Sequence, residues 1–564
     1  MLKGKKFLTT AITLLAIIVL SVACSGNKTN NVPNNNSTTN DVKEPANEVT
    51  PNADPKTLRF TLGSDPPSLD PGIMTDAQSS IVASGLYEGL MILDAEGEPN
   101  YGIAEGHEVS ADGLTHTFKL RSNATWSNGD PVTAHDFEYA WKRALTPELA
   151  SEYAYILYYV QGAAEYNSGE GSVDDVKVKA IDDTTLEVTL ISPTPYFTSL
   201  VTHYTYWPVH KATVEARDDW AIDAATITTN GPFLLKEWVH NDKVVLVKNP
   251  NYYNSDSINF DEVTMYIVED DSTVYNMFQN DEIDWIGAQA GSVPNDYTAL
   301  VIANKEAEVK DISSVYYYLF NTTEAPFNNV KVRQAFSMAI DRQSIIDNVT
   351  QANQTAAYGL VPGSIAGIDG KSFRELYPDT AYFTEDAEKA KVLLAEGLAE
   401  LGLTSFPPTT LIYNTSDGHK AIAEAIVDMW RSNLGVELTL ANSEFGTFLE
   451  TRSAQQFSIA RGGWGADFNH AINFTYDLIY STSGNNDGKY TNAKVDQLLD
   501  ESIKASTEEE RLAKIAEAER ITFQEDMGLM PIYYYTTVTM VKPHIVNVVS
   551  DYAGHINWIN GDIK

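Results

Sequence analysis

The residues of this sequence whose types best suit binding chemistry lie close together between positions 461 and 469. This stretch reads Arg-Gly-Gly-Trp-Gly-Ala-Asp-Phe-Asn and places Arg461 and Asp467 on the two sides of a glycine-rich run. Glycine lets a backbone approach another group closely because it carries no side chain. A carboxylate is what a cation requires when it is taken out of water. Aspartate beside glycine is also common in turns, so from the residues alone a turn is the simpler interpretation of Asp467.

Motifs for catalysis and metal binding are not found in the sequence. There is no Gly-x-Ser-x-Gly nucleophile motif, no His-Glu-x-x-His zinc helix and no Gly-x-x-x-x-Gly-Lys-Ser/Thr phosphate loop. The run Asn485-Asn486-Asp487-Gly488 resembles the start of a calcium-binding loop, but Lys494 stands where that loop requires its closing glutamate. We therefore expect no enzyme, no metal site and no cofactor, and an exported hydrolase is the less favoured alternative.

The charge of the chain excludes some partners. The formal net charge is −38 at pH 7. A strongly acidic body is repelled by nucleic acid and by anionic lipid surfaces, so binding to either through the body is not expected. The acidity does not by itself indicate a cationic ligand, because a solvated acidic surface also keeps an exported protein soluble.

The only cysteine, Cys24, follows a segment typical of a secretory leader. Lys3, Lys5 and Lys6 precede an apolar stretch at 7–19, and small residues precede Cys24. This stretch is short for a membrane span, which needs about 20 apolar residues. The arrangement resembles the bacterial lipobox, which implies cleavage after residue 23 and diacylation (palmitate) of Cys24. An uncleaved membrane anchor with an incidental cysteine is the alternative.

The segment 24–55 is rich in Asn, Thr, Ser and Pro and has almost no large apolar residue. Such a composition cannot bury enough surface to offset the entropy of ordering, so a flexible tether is expected. The folded part is expected to begin near Lys56, and its size predicts several lobes.

Alternating strands and helices are predicted for the folded part. Apolar alternation predicts strands near 58–62, 316–320 and 411–413, and helical spacing predicts helices over 330–349, 421–434 and 495–523. The segment 88–210, with a hairpin between 176 and 190, has the character of a small α+β insertion. Strands separated by helices of this length favour an α/β sandwich with partly parallel sheets.

Several separate motifs resemble one family. They are Pro67-Ser68-Leu69-Asp70-Pro71, Leu86-Tyr87-Glu88-Gly89-Leu90, the run at 126–137, Asn230-Gly231-Pro232-Phe233 and Val332-Arg333-Gln334-Ala335-Phe336. In this order they closely resemble the oligopeptide-binding lipoproteins that supply ABC peptide importers, over essentially the whole body. The resemblance implies a type II periplasmic-binding-protein-like α/β fold of cluster C with three lobes, two of which close on the ligand by hinge motion. Hinges are expected near 210–211 and 311–315.

The same resemblance implies a division of the chain into segments. They are a leader at 1–23, a tether at 24–55, lobe I at 56–87, 211–313 and 531–564, lobe II as the insertion at 88–210, and lobe III at 314–530.

The resemblance also implies roles for named residues. Asp467 would meet the ammonium of a peptide, and the glycines around Trp464, Gly463 and Gly465, would suit strand-like pairing with an extended peptide. Arg461, Arg452 and His419 match positions that can meet the peptide carboxylate, although each could instead form an ordinary ion pair. Thr75, Asp76 and Ala77 align with a segment that flanks the peptide, and either Tyr153 or Tyr155 would reach it from lobe II.

The expected function is therefore an extracytoplasmic receptor, held by lipid, that captures short peptides with little sequence selectivity and delivers them to an ABC permease. A monomer on the extracellular face of the cell membrane is expected, as in Gram-positive bacteria. The same fold could instead bind a signalling peptide, a nickel complex, haem or an oligosaccharide, because fold does not settle function.

Overall fold

The computed structural model describes residues 55–94, 97 and 99–564. The expectations for the leader, for Cys24 and for the tether up to residue 54 lie outside the described residues.

The strands are labelled in chain order. They are β1 (Thr57–Leu62), β2 (Met91–Leu93), β3 (Pro99–Tyr101), β4 (Ala104–Val109), β5 (Thr115–Leu120), β6 (Val178–Asp182), β7 (Thr185–Thr189), β8 (Phe233–Val239), β9 (Lys243–Lys248), β10 (Glu262–Ile267), β11 (Trp285–Ile286), β12 (Glu308–Phe320), β13 (Thr355–Ala356), β14 (Thr410–Asn414), β15 (Thr439–Ser443), β16 (Ile459–Gly465), β17 (Leu529–Val541), β18 (Ile545–Val546), β19 (Val549–Ser550), β20 (Ile556–Asn557) and β21 (Asp562–Ile563).

The α-helices are labelled in the same way. They are α1 (Ala77–Leu86), α2 (Ala134–Ala144), α3 (Ala163–Asn167), α4 (Phe197–Leu200), α5 (Lys211–Ala216), α6 (Asp271–Gln279), α7 (Asn295–Ala303), α8 (Val330–Met338), α9 (Arg342–Ile345), α10 (Phe373–Leu376), α11 (Ala387–Glu400), α12 (Asp417–Leu434), α13 (Phe445–Ser453), α14 (Ile472–Ile479), α15 (Ala493–Ile503) and α16 (Glu508–Arg520).

Three larger sheets organise these elements. One has the order β1-β10-β9-β8, with β1 parallel to β10, and a second, antiparallel sheet has the order β4-β5-β7-β6 within the predicted insertion. The largest has the order β11-β17-β12-β16-β14-β15, with β13 on β17 and parallel pairing of β14 with both neighbours. The mixed α/β class predicted from the sequence is confirmed.

Two predicted helices are each broken in the structure, so both predictions are wrong in extent. The predicted helix over 495–523 is two helices, α15 and α16, because Thr507 accepts the backbone N–H of Glu510 at 3.2 Å and caps α16. The predicted helix over 330–349 is α8, α9 and the π-helical segment Ile346–Thr350 that continues α9, since Asp341 accepts the N–H of Ser344 at 2.8 Å and starts a second helix. Threonine and aspartate favour caps because their side chains satisfy free N–H groups at a helix start.

Several motif residues join the predicted insertion to the sheet that contains β1. Arg143 donates to both oxygens of the buried Asp70, at 2.9 and 2.6 Å. The buried carboxylate of Glu88 accepts from the hydroxyl of Tyr253 at 2.7 Å, and its backbone exchanges two hydrogen bonds with Asn230. Because these groups are buried and paired, removing one partner would leave the other uncompensated.

Two of the expected segment boundaries fall inside strands. Positions 313/314 lie within β12 and positions 530/531 within β17, and these two strands pair with each other. Their register shifts between Asp311 and Val315, which bends the sheet locally. The division into lobes stays a prediction.

Among the described residues, no helix combines the length and the apolar character needed to cross a membrane.

Candidate functional site

A cavity of about 680 Å³ separates the sheet of β1 and β10 from the sheet of β16 and β17. Residues that follow β1 and β10 line one side, and β16, β17 and the start of α12 line the other. The segment 202–207 of the predicted insertion and the segment 551–559 complete the wall.

Nearly all the binding residues named from the sequence line this one cavity. They are Thr75, Asp76, Ala77, Tyr153, His419, Arg452, Arg461, Gly463, Trp464, Gly465 and Asp467. The exception is Tyr155, whose hydroxyl accepts from the side-chain amide of Asn485 at 3.1 Å and whose ring stacks behind Tyr153. Tyr153 is therefore the tyrosine that faces the cavity.

The Asp467 carboxylate is held in position just after β16. Asn473 donates from Nδ2 to Oδ2 of Asp467 at 2.9 Å, and its Oδ1 accepts the backbone N–H of Asp467 at 2.8 Å. On the other side, Nε2 of His203 lies 3.5 Å from Oδ1, and the Asp467 side chain is only 13% exposed. Burial raises the pKa of the neighbouring Asp477 well above its usual range, and the charge of Asp467 raises it further. The protonated form of Asp477 is thus favoured beside Asp467.

Aromatic rings form the wall next to this carboxylate. Tyr153 stacks on Trp464 with 6.1 Å between ring centroids, and it packs against His203 and Tyr204 at 4.9 and 5.5 Å. Burial raises the pKa of both Tyr153 and Tyr204 well above its usual range, so their hydroxyl groups are neutral. The wall is therefore apolar and uncharged around one carboxylate.

The glycine-rich strand β16 exposes backbone to the cavity. One edge of β16 pairs with β12 along its length, whereas its pairing with β14 ends at Ala460. A Cβ atom at Gly462 would lie 2.1 Å from the ring of Tyr317, so this glycine is required by packing. Gly463 and Gly465 line the cavity. The unpaired edge after residue 460 can hydrogen-bond an extended chain.

Of the three candidate cations, the Arg461 guanidinium is the one whose charge is least compensated by neighbouring groups. Its Nη2 donates to the hydroxyl of Tyr535 at 2.7 Å, and it lies 5.0 Å from the ring centre of Tyr316. Its Nε has no hydrogen-bond partner, and Arg461 forms no ion pair with any described residue. Arginine keeps its charge in proteins and can bind a carboxylate through two parallel N–H groups.

The other two candidate cations differ from the expectation. Arg452 donates from Nε to Asp487 at 2.6 Å, and this carboxylate is 4% exposed, so the charge of Arg452 is already met. Burial lowers the pKa of His419 well below its usual range, and the charge of Arg461 lowers it further. The expectation that His419 acts as a cation is corrected: it can offer a hydrogen bond but not a charge at neutral pH.

Asp76 caps the N-terminus of α1. Its Oδ1 accepts the backbone N–H of Ser79 at 2.8 Å, and its Oδ2 accepts the Ser79 hydroxyl at 2.6 Å. Burial raises its pKa to about 6. Thr75 and Ala77 flank this cap and line the cavity.

Sequence reasoning missed several lining or supporting residues. Asn473 and His203 hold Asp467, and Tyr535 holds Arg461. His555 lies 3.3 Å from Asp551 beside the cavity. The run of tyrosines at 533–535 indicated only a strand, and nothing in the spacing of the others distinguished them from core residues.

The cavity has an acidic end at the start of α6 and α12. Asp271 begins α6 and Asp417 begins α12. Burial raises the pKa of Asp271 to about 7, and the charge of Asp417 contributes. Within the described part of the chain, no group of acidic or histidine side chains is arranged to hold a metal ion.

Comparisons with known proteins identify what the chain is similar to. The sequence profile of the bacterial extracellular solute-binding proteins, family 5 (middle), matches residues 98–486. The oligopeptide-binding protein OppA of Bacillus subtilis is 38% identical over 513 residues, which cover 90% of this chain and 93% of that protein.

Solved structures agree with the sequence comparison. The complex of Haemophilus influenzae OppA with the peptide RPPGFSPFR has a TM-score of 0.85 and 32% identity, and the match covers 91% of this chain and 99% of that one. The Escherichia coli murein tripeptide-binding protein MppA has a TM-score of 0.84 and 29% identity, with 91% and 99% covered. An unliganded open form of MppA reaches only 0.61, with 91% and 98% covered. The conformation described here is therefore close to the peptide complex and unlike the open form.

We expect the Asp271→Asn variant to be more stable than the parent protein, by an amount that grows as the pH rises. The folded-state pKa is raised from 3.8 to about 7. Folding therefore takes up a proton between these values, and the carboxylate lowers the free energy of unfolding once it is ionised. Thermal unfolding at pH 4, 5.5 and 8 measures the gain, which should be small at pH 4 and largest at pH 8.

Asp270→Asn is the matched control. A hydrogen bond from Thr273 lowers the pKa of the adjacent Asp270, so this substitution should give no gain at pH 8. A gain for Asp271→Asn that does not change with pH, or none at pH 8, would contradict the assignment.

Proposed function

The chain belongs to family 5 of the bacterial extracellular solute-binding proteins, and on this premise we propose that it is a receptor for short peptides of an ABC importer. The observation that carries the proposal is that Asp467 and Arg461 line one cavity, the first held by neutral donors and the second without an acidic partner among the described residues. A peptide with free termini presents the two opposite charges that this pair would meet.

Backbone contacts support a peptide over other solutes. One edge of β16 has no strand partner after Ala460, Gly463 and Gly465 of this part of the strand line the cavity, and residues 75–77 line it as well. An extended peptide can add to such an edge through main-chain hydrogen bonds, which do not depend on its sequence.

Little sequence selectivity is expected from the remaining wall. The phenols of Tyr153 and Tyr204 are neutral and the indole of Trp464 is apolar, so they impose no charge requirement on the ligand's side chains. Water can bridge unused polar groups at little enthalpic loss, which allows different side chains in one pocket.

Hinge closure is the proposed means of capture. The register shift of β12 at Asp311 and Val315 lies in one of the two predicted hinge segments, and β12 carries both the cavity residue Ser314 and the core of the largest sheet. The difference between the two TM-scores for MppA forms supports an open and a closed state. The closed, loaded form would then be recognised by the permease.

The family binds solutes, and we propose that this chain performs no catalysis on its ligand. Two other carboxylates at the site have partners of their own, since Asp477 accepts from Asn473 and Asp551 pairs with His555. Cleavage of a bound peptide by the purified protein would instead support the alternative function, an exported hydrolase.

The cellular location of the receptor is a further part of the proposal. The lipobox resemblance around Cys24 supports a diacylated, membrane-held monomer on the extracellular face of the cell membrane. A tether would raise the effective concentration of receptor near its permease.

We expect Asp467→Asn to weaken binding of a free peptide such as tetra-alanine by more than about 2 kcal/mol, or roughly 30-fold. The substitution keeps the shape of the side chain but leaves the peptide ammonium without a counter-charge. Isothermal titration calorimetry measures the loss. Asp219→Asn, at an exposed ion pair with Arg217, is the control and should bind as the parent does. Unchanged affinity of Asp467→Asn would remove this residue from the site, and no binding of free peptides by the parent protein would refute the proposed function.

We expect Cys24→Ser to release the protein from the membrane into the medium, because serine cannot carry the thioether-linked lipid. Immunoblots of cell and medium fractions measure the distribution, and Ser25→Ala is the neighbouring control that should remain membrane-bound. Unchanged retention of Cys24→Ser would show that the leader itself is the anchor.

A further inference from the structure

The His203 imidazole is buried against the candidate ammonium site. Its side chain is 3% exposed. The ring lies between two tyrosines, with centroid distances of 4.9 Å to Tyr153 and 3.9 Å to Tyr204. A ring enclosed in this way has one orientation, so the direction of its two nitrogen atoms is fixed.

A backbone hydrogen bond determines which nitrogen of His203 carries the proton. Nδ1 accepts the N–H of Thr205 at 3.3 Å and thereby caps the short 3-10 helix Tyr204–Tyr206. A nitrogen that accepts a hydrogen bond is unprotonated, so in the neutral ring the proton is on Nε2. Nε2 lies 3.5 Å from Oδ1 of Asp467 and makes no hydrogen bond to any described residue.

The Asp467 carboxylate has a firm hydrogen bond on one oxygen only. Oδ2 accepts from Asn473 at 2.9 Å, whereas Nε2 of His203 approaches Oδ1 only to 3.5 Å, without forming a hydrogen bond. A carboxylate fixed at one oxygen can rotate about its Cβ–Cγ bond, and this rotation would turn its other oxygen away from a ligand. Catalytic and binding groups are precise when neighbouring groups lock them.

We propose that His203 is a positioning residue that orients Asp467 for the ligand's ammonium group. Nε2 of His203 lies 3.5 Å from Oδ1 and limits rotation of the carboxylate, and the Thr205 bond fixes the direction in which Nε2 points. The inference rests on the proposed peptide-binding function and deepens it: preference for a free amino terminus depends on a residue of the predicted insertion as well as on Asp467.

Two variants separate the two nitrogen atoms. His203→Asn keeps an acceptor for the Thr205 N–H, since asparagine is favoured at caps, but it removes the donor at the position of Nε2. His203→Gln places an amide donor near that position. His135→Asn is the matched control: Nε2 of His135 also lies 3.5 Å from an aspartate, Asp183, but this pair is exposed and His135 does not line the cavity.

The test is a double-mutant cycle with tetra-alanine, read by calorimetry, with thermal unfolding to show that each variant is folded. His203→Asn should weaken binding about tenfold in the parent protein, since the Asp467 carboxylate is then free to turn away from the ammonium. It should weaken binding less than about twofold in the Asp467→Asn background, because the group that it orients is then uncharged. His203→Gln should restore most of the affinity, and His135→Asn should bind as the parent does.

Each other outcome overturns the inference. Unchanged affinity of His203→Asn would show that Asp467 needs no second donor, and an equal loss in both backgrounds would show a general structural role. In either case parental binding and its loss in Asp467→Asn would leave the proposed function standing. If the parent protein does not bind tetra-alanine, the proposed function fails and this inference fails with it.

Discussion

The compensation of a buried charge at Asp467 is the constraint on which the rest of the site depends. A peptide ammonium taken out of water costs several kcal/mol unless an anion meets it. In the proposed site, Asp467 on the turn after β16 supplies that anion, and Asn473 from the start of α14 holds it. Aromatic rings from the predicted insertion close over it, so the site is complete only when distant parts of the chain come together.

The charge states of the side chains around the cavity follow from the same requirement. Several other ionisable groups near the ligand space are uncharged or already paired: His419 is held neutral, Arg452 pairs with Asp487, and Asp551 pairs with His555. Arg461 and Asp467 keep charges directed at the cavity. A site built in this way recognises the ends of a ligand more strictly than its middle, which is consistent with a receptor for many peptides.

The class of fold and most of the site could be predicted from the sequence. Strand alternation gave β1 correctly, and family motifs pointed to Asp467 and Arg461, which line one cavity. Those motifs also stabilise the fold, since Asp70 binds Arg143 and Glu88 binds Tyr253, residues far away in the sequence. Helix breaks were missed because the apolar spacing continues past Thr507, and only the cap geometry ends one helix and starts the next. His203 could not be found because its role arises from contact with a residue far away in sequence, and the neutrality of His419 arises from burial and from Arg461.

The most direct test of the account is to identify what the protein carries when it is purified. Mass spectrometry of small molecules released by denaturing the freshly purified mature protein should find a mixture of short peptides of varied sequence, nearly all with free amino and carboxyl termini. A single non-peptide solute, or peptides whose amino termini are predominantly blocked, would contradict the account.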